Sequence, residues 1–313
     1  MKYNILCITP VKHLPGVYEE LEKYGKITYL PNISKKKLRI CLRKKIHDCL
    51  FLNPNKQGFT LDESILKESS IKIINTCSTG TNHIDLTFCK KNSIKVWSLK
   101  KDLKLINKLP STSELAFGLM IVLLRKILPA HNSVLDYNWN YLPYLGSQIK
   151  DLTVGVVGYG RLGKIFCKQL EGFGAKILIC DPFIKTKKYE NLRLSKLAER
   201  VDVLALHVHV NDSTRKFIDG KILSKMKKGA ILINTSRGEL VDEDAVLKSL
   251  RKKHLAGYGT DVIIHEFDNL KKSKLIKYAK KLPILLTPHI GGMTIQGQSE
   301  AFLFAVRKFK HLE

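Results

Sequence analysis

The sequence predicts an α/β protein of two domains, each an open parallel sheet with helices on both faces. Three observations carry this expectation. Residues 1–100 alternate short β-like and helix-like pieces, the pattern of strand–helix–strand crossovers. A second alternating run opens near residue 153 with an apolar strand, a glycine-rich turn and a helix. Between them, residues 111–130 hold a run that is apolar all round and fits neither pattern. At 313 residues and 44% hydrophobic content, the chain is long enough for two buried cores.

In the first run, strands are expected over Asn4–Ile8, Ile27–Tyr29, Asp48–Leu52, Ile71–Asn75 and Ile94–Trp97. Helices are expected over Val17–Tyr24, the lysine-rich Ser34–Lys44, Asp62–Lys67 and Ile84–Lys91. The stretch holds no phosphate-binding glycine loop. Its segment Asn75–Asp85 is rich in small residues and reads two ways. Backbone N–H groups at the strand's C-terminal end can form an anion nest, or the segment is an ordinary glycine turn into a helix capped at Thr81 or Asn82.

Pro110 precedes a helix start at which Ser111 is expected to cap and Glu114 to complete a capping box. The following run, Leu115–Leu124, is expected to be buried on every side, as the joint between the domains and a dimer contact. Tyr137, Trp139, Tyr141 and Tyr144 then suit a surface arm or an interface.

The second run is the most informative. The apolar strand Val154–Val157 ends in Gly158-x-Gly160-x-x-Gly163, the helix Arg161–Gly172 follows, and a strand Ile177–Cys180 ends on Asp181. Gly158 allows the tight turn, Gly160 the approach of backbone to a pyrophosphate, and Gly163 the packing of helix on strand. The helix N-terminus offers N–H groups and a positive dipole end to phosphates. Asp181 is placed to accept hydrogen bonds from the adenosine ribose and to repel a 2′-phosphate, so NAD is expected rather than NADP. Lys185, Lys187 and Lys188, just downstream, soften that preference. Further strands are expected over Val203–His207, Ala230–Asn234, Gly257–Val262 and Ile284–Thr287. One helix ends at Lys225–Gly229, another spans Asp242–Arg251, and a closing helix covers Ile295–Phe309.

The net charge is +26, from 54 Lys and Arg against 28 Asp and Glu. The lysines fall in short scattered clusters, most of which read as solvated faces. No helix-turn-helix or aromatic-interleaved motif appears, so nucleic acid is not expected as the main partner. The charge is expected instead to steer anionic ligands. No apolar run reaches the length of a membrane span, and no signal-peptide pattern appears, so a cytoplasmic protein is expected. The seven cysteines are scattered, with no metal-ligand spacing, and no metal site is expected.

Three loci at expected strand ends carry possible chemistry. Arg237, after Ile233-Asn-Thr-Ser, can grip a carboxylate through two parallel hydrogen bonds, or serve as a surface ion-pair partner. Asp261 and Glu266 follow the strand ending near Val262, and Glu266 alone reads equally as a solvated acid. His289 sits in Thr287-Pro-His-Ile-Gly-Gly292 and alone reads as a capped loop histidine. Three such residues behind a nucleotide turn are hard to dismiss together.

In this order, the glycine turn, Asp181, Asn234-x-x-Arg237-Gly238, Asp261, Glu266 and the His289 loop resemble the D-isomer-specific 2-hydroxyacid dehydrogenases. The likeness is to the branch containing phosphoglycerate dehydrogenase, in a short form without its regulatory domain. It runs from the Thr79–Asp85 loop to the last helix. The resemblance implies an NAD-binding Rossmann domain, residues 101–290, inserted into a flavodoxin-like substrate domain made of residues 1–100 and the returning helix of 291–313, with a cleft between the domains. It implies hydride transfer between NAD(H) and a D-2-hydroxy or 2-oxo acid, and a homodimer. His289 would be the general acid/base, and Glu266 the carboxylate that orients its imidazole and favours the charged form. Arg237 would bind the substrate carboxylate, with Ser78, Thr79 and Gly80 contributing backbone N–H groups. Gly158, Gly160, Arg161, Leu162, Gly163, Asp181, His207, Thr214, Thr235 and Asp261 would line the cofactor, Asp261 near the nicotinamide carboxamide. The same fold also serves NAD(H)-sensing regulators, such as the C-terminal-binding-protein corepressors, which stands as the alternative.

The chain departs from the family pattern in places. Where phosphoglycerate dehydrogenases often have Arg-x-Arg for the phosphate, this chain reads Asn55-Lys56-Gln57, which puts 3-phosphoglycerate in doubt as substrate. His209 and Phe267 stand where prolines are usual, and Met293-Thr-Ile-Gln-Gly297 replaces the usual Ser-Thr-x-Glu-Ala. These changes flank the expected site without removing its residues, which implies altered substrate choice rather than lost activity.

Overall fold

A computed structural model describes residues 3–54, 58–266 and 269–312. The chain divides into two compact units, Met1–Leu109 with Met293–Glu313, and Pro110–Gly292.

The first unit is a five-stranded, all-parallel sheet of β1 (Tyr3–Cys7), β2 (Gly25–Tyr29), β3 (Cys49–Leu52), β4 (Ile73–Thr76) and β5 (Lys95–Trp97). The strand order is β2-β1-β3-β4-β5, a flavodoxin-like arrangement. The connecting helices are α1 (Val17–Glu22), α2 (Lys35–Arg43), α3 (Glu63–Leu66), α4 (Leu86–Lys91) and α5 (Leu103–Ile106). Alternation along β1 sends Ile5 and Cys7 to one face and Leu6 to the other. The first face packs with Phe51 against Ala301, Phe302, Ala305 and Val306 of the closing helix Ile295–Arg307. The second packs with Leu50, Leu52 and Ile74 against Leu38 and Leu42 of α2. Neither Thr81 nor Asn82 caps α4. The cap is Asp85, whose Oδ1 accepts from the Phe88 N–H at 2.9 Å. A β-bridge between Leu61 and Ile84 holds Ile84 extended, so the helix starts only beyond it.

The second unit is a seven-stranded parallel sheet of β6 (Thr153–Val157), β7 (Lys176–Cys180), β8 (Glu190–Asn191), β9 (Val203–Leu206), β10 (Ala230–Asn234), β11 (Leu255–Thr260) and β12 (Ile284–Leu286). The order is β12-β11-β10-β9-β6-β7-β8. From β6 the chain steps outward through β7 and β8, then returns to β9 on the other side of β6. The C-terminal ends of β6 and β9 therefore form the switch point of this Rossmann-type sheet. Its helices are α6 (Ser111–Leu124), α7 (Ile127–Leu135), α8 (Arg161–Gly172), α9 (Leu194–Ala198), α10 (Gly220–Lys225), α11 (Glu243–Arg251) and α12 (Lys274–Tyr278).

Two expectations for residues 111–130 are corrected. Pro110, not Ser111, stands at the N-cap of α6, with no side-chain capping hydrogen bond. Its carbonyl accepts from the N–H groups of Ser113 and Glu114, so the helix begins one residue earlier than a capping box requires. Nor is the apolar run buried on every side. Ala116, Leu119 and Met120 are sealed into the core beside Val154, Val156 and Phe166, while Leu115 and Ile121–Leu124 stay partly exposed. The helix stops at Leu124, and Lys126, at φ +50°, turns the chain into the separate helix α7. Beyond it Tyr137, Trp139, Tyr141, Leu142 and Leu145 project from the fold.

Candidate active site

All strands of the second unit are parallel, so the loops that follow them emerge along one edge of the sheet. After β6, Gly158 takes φ +92°, a conformation that favours glycine, and a Cβ there would stand 2.5 Å from the His207 carbonyl oxygen. A Cβ on Gly163 would meet the Gly158 carbonyl oxygen at 2.0 Å, so α8 lies directly on the turn. Gly160, the N-cap of α8, has nothing within 4 Å of where its Cβ would be. Arg161 opens the helix, and burial lowers its pKa from the usual arginine value. The Leu162 carbonyl accepts from Ser113 Oγ of α6 at 2.9 Å, fixing the helix start from behind. At the end of β7, Asp181 Oδ2 accepts from the Tyr159 N–H at 2.8 Å and Oδ1 from the Phe183 N–H at 2.9 Å.

His207 follows β9 and turns inward. Its ring lies on Phe166 with centroids 4.8 Å apart. Both ring nitrogens are sealed from solvent without a hydrogen-bond partner among the described residues. Burial accordingly pushes its pKa down to about 4. His207 therefore offers its backbone, not its ring nitrogens, to the edge. Beyond it, Thr214 Oγ1 donates to the His209 carbonyl at 3.0 Å and accepts from the Asn211 N–H at 2.8 Å, closing the 209–214 loop on itself. After β10, Thr235 is 6% exposed, and its hydroxyl likewise has no partner among the described residues. Open space at Gly160, the N-terminus of α8 and a buried Thr235 hydroxyl with no partner among the described residues are what a dinucleotide would fill, and the residues fit it.

Arg237 lies two residues further on, in a loop tied down by its neighbours. Asn234 Nδ2 donates to the Arg237 carbonyl at 2.9 Å, Ser236 Oγ donates to the Leu206 carbonyl at 2.8 Å, and the guanidinium donates to the Ser236 carbonyl at 2.6 Å.

Asp261 organises the next two loops. It is 1% exposed. Its carboxylate accepts from Thr287 Oγ1 at 2.6 Å, from the Ile290 N–H at 2.8 Å and from the Gly291 N–H at 2.7 Å. Burial raises its pKa, and these three bonds oppose the rise. The Asp261 carbonyl also accepts from the His289 N–H at 2.9 Å. The result is a short loop holding His289 at φ +55°, a strained conformation for a residue with a Cβ. His289 Nδ1 lies 3.0 Å from Glu266 Oε2. A carboxylate oxygen accepts, so the Nδ1 proton points at Glu266, which leaves acid–base work to Nε2. His289 is 39% exposed and Glu266 15%.

In the first unit the 78–80 loop follows β4. Ser78 Oγ donates to the Gly80 carbonyl at 2.7 Å and shares a hydrogen bond with Thr76 Oγ1 at 3.0 Å. Thr76 also meets His83 Nε2 at 3.0 Å, and Thr79 is partly exposed. Asn55, Lys56, Gln57 and Phe267 lie outside the described residues. Among the described residues, no group of three or more His, Cys, Asp or Glu side chains is disposed to hold a metal ion, and no helix is long and apolar enough to cross a membrane.

The edge thus unites Glu266 with His289 and Asp261 with the His289 loop. Periodicity and motif spacing missed two supporting side chains. Ser113 reads as one of several small residues at a helix start, and Glu243 as an ordinary acid in a first turn. Nothing in the sequence marks either as buried.

The chain is similar to known proteins along most of its length. Residues 117–291 match the family model described as D-isomer specific 2-hydroxyacid dehydrogenase, NAD binding domain, and residues 7–104 match the catalytic domain of the same family. The chain is 35% identical over 226 residues to glycerate dehydrogenase of Methylorubrum extorquens, covering 70% of this chain and 69% of that protein. It is 32% identical over 248 residues to hydroxypyruvate reductase of Thermotoga maritima, covering 78% of each. Against D-3-phosphoglycerate dehydrogenase of Bacillus subtilis the identity is 29%, and the match spans only 43% of that longer protein. Among solved structures, D-lactate dehydrogenase from Aquifex aeolicus, complexed with NAD and lactic acid, superposes with a TM-score of 0.81 at 25% identity, covering 99% of this chain and 95% of that one.

Proposed function

Because the chain belongs to the D-isomer-specific 2-hydroxyacid dehydrogenase family, with its NAD-binding domain, we propose that it interconverts a small D-2-hydroxy acid and its 2-oxo acid using NAD(H). The observation that carries this reading is the 3.0 Å contact of His289 Nδ1 with Glu266 Oε2, on a loop that Asp261 holds in place. When bound, the nicotinamide cofactor supplies the hydride in the reducing direction. His289 gives the Nε2 proton to the oxygen of the 2-oxo group, so the carbonyl becomes a hydroxyl and the imidazole becomes neutral. Glu266 holds the ring in the orientation this transfer needs. Arg237 leaves the Ser236 carbonyl to grip the substrate carboxylate, and the guanidinium polarises the reacting carbonyl. In the first unit, the 78–80 loop offers backbone N–H groups to a carboxylate.

Cofactor binding is proposed for the Gly158–Gly163 turn, Asp181, the backbone at His207, the Thr214 loop and the Thr235 hydroxyl. The substrate is proposed to be small because the relatives named above are dehydrogenases or reductases of glycerate, hydroxypyruvate and lactate. The exposed apolar arm from Leu135 to Leu145 is proposed to pair with a second copy of the chain. All seven cysteines are free, which fits a reducing, cytoplasmic setting.

A panel of small 2-oxo acids assayed with NADH tests the reading. NADH oxidation with at least one acid is expected. Tight NADH binding without turnover of any acid would overturn it and favour an NAD(H)-sensing regulator.

A further inference from the structure

We propose that Glu243 is a positioning residue for the acid–base pair, fixing the turn that carries Glu266 so that Glu266 reaches His289. The proposal rests on the dehydrogenase reading only for its kinetic arm.

Glu243 is the first residue of α11, and it is not needed to cap that helix. Asp242 does so, its Oδ1 accepting from the Asp244 and Ala245 N–H groups at 3.1 Å each. Glu243 is nevertheless buried, 9% exposed, where a glutamate is costly to keep. Its Oε1 reaches away from its own helix and accepts from the Ile264 N–H at 2.9 Å. Ile264 stands two residues before Glu266 in a turn closed by the Glu266 N–H on the Ile263 carbonyl at 3.4 Å.

The same turn is pressed from a second side by the arginine loop. A Cβ on Gly238, the neighbour of Arg237, would lie 2.3 Å from the Ile263 carbonyl carbon and 2.5 Å from the Ile264 nitrogen. Residues 263–264 are thus clamped between Gly238 and the Glu243 carboxyl, and Glu266 projects from the clamped turn to His289. The bond from the Ile264 N–H to a side-chain oxygen anchored on α11 ties down a short turn without regular structure of its own.

The titratable groups facing Glu243 are His265 on the turn and Asp242 and Asp244 on its own helix. Burial is the largest influence and raises the carboxyl pKa, with the two aspartates adding to the rise. The Ile264 N–H and His265 oppose it.

The test uses the full chain with ring-labelled histidine, following the His289 imidazole titration by NMR, assigned with His289→Asn. Glu266→Gln sets the displacement seen when the pair is broken. Glu243→Ala is expected to displace the titration in the same direction. Glu243→Gln, whose amide oxygen still accepts from Ile264, should stay near wild type. Glu243→Asp, which keeps the charge but shortens the reach, should resemble Glu243→Ala and serves if the alanine variant does not fold. A His289 titration unmoved in Glu243→Asp and Glu243→Ala but moved in Glu266→Gln overturns the proposal, whether or not any acid is turned over.

The kinetic arm uses the acid that the panel identifies. Glu243→Ala should lower kcat about tenfold, a part of the 10²–10⁴ that general acid–base catalysis supplies, with little change in KM. In a Glu266→Gln background it should cost nothing further. Equal losses in both backgrounds would reduce Glu243 to a merely structural role.

Discussion

Gly163 lies against Gly158 so closely that a Cβ on the former would stand 2.0 Å from the carbonyl oxygen of the latter. Backbone cannot yield there, so Gly163→Ala must push α8 off the turn. The expected cost is about 1–3 kcal/mol of stability, as for other overpacked sites, with NADH binding weakened together with it. Gly160→Ala differs, because nothing lies within 4 Å of its Cβ. That variant should unfold in urea like wild type yet bind NADH poorly. If Gly160→Ala binds NADH normally by fluorescence titration, the pyrophosphate does not sit on this turn.

His289→Ala should lower turnover by about 10²–10⁴-fold while NADH still binds, the usual contribution of a general acid–base. Stopped-flow turnover beside a binding isotherm separates the two. Unchanged turnover would remove His289 from the reaction.

His207 makes stability depend on pH. Burial pushes its folded pKa down to about 4 from the usual 6.5, so between these values the unfolded chain binds a proton that the folded protein refuses. Stability is therefore full above about pH 6.5 and falls as pH drops toward 4, by up to roughly 3 kcal/mol. His207→Phe, an apolar ring on Phe166, should remove that part of the acid sensitivity. Urea midpoints at pH 7.5 and 4.5 measure it, and an equal acid loss in both proteins would disprove the assignment.

Asp181 joins the end of β7 to the Gly158–Gly163 turn through the Tyr159 N–H. Asp181→Ser should weaken NADH about tenfold, the scale of one charge-assisted hydrogen bond, and narrow the preference over NADPH. The ratio of kcat/KM for the two cofactors is the readout. A ratio equal to that of wild type would show that discrimination lies elsewhere.

Trp139 is 86% exposed and Tyr137 fully so, in an arm with Leu142 and Leu145. Trp139→Glu together with Leu142→Glu is expected to convert a dimer into a monomer in sedimentation, since aromatic anchors dominate such contacts. A wild-type chain that sediments as a monomer at micromolar concentration would end this proposal.

Regular patterning made much of this molecule legible. The five strands of the first sheet follow from alternation, and the turn, helix and acid of residues 153–181 from glycine spacing. His289 and Glu266 were visible as residues at strand ends, because parallel strands must all deliver their C-termini to one edge. What stayed hidden depends on contacts across the fold. β8, α9 and α12 are two to five residues long, too short to show a period. The apolar run stops at Arg125-Lys126, but only the left-handed backbone at Lys126 shows that the chain turns there into a separate helix. Glu243 carries the same chemistry as its neighbours Asp242 and Asp244, and its burial follows from where α11 lands, not from its type.

The closing helix has a consequence for the order of events during synthesis. Residues Met293–Glu313 belong to the same compact unit as Met1–Leu109, while Pro110–Gly292 form the other without interruption. Asn75 Nδ2 donates to the Ala305 carbonyl at 2.8 Å, and Phe51 packs its ring against Phe302. The first sheet must therefore wait, with the part of its apolar face that Ala301, Phe302, Ala305 and Val306 cover left open, until residues 295–307 have been added, while residues 110–292 can finish folding first. The unit whose strands are made first is in this sense the one completed last.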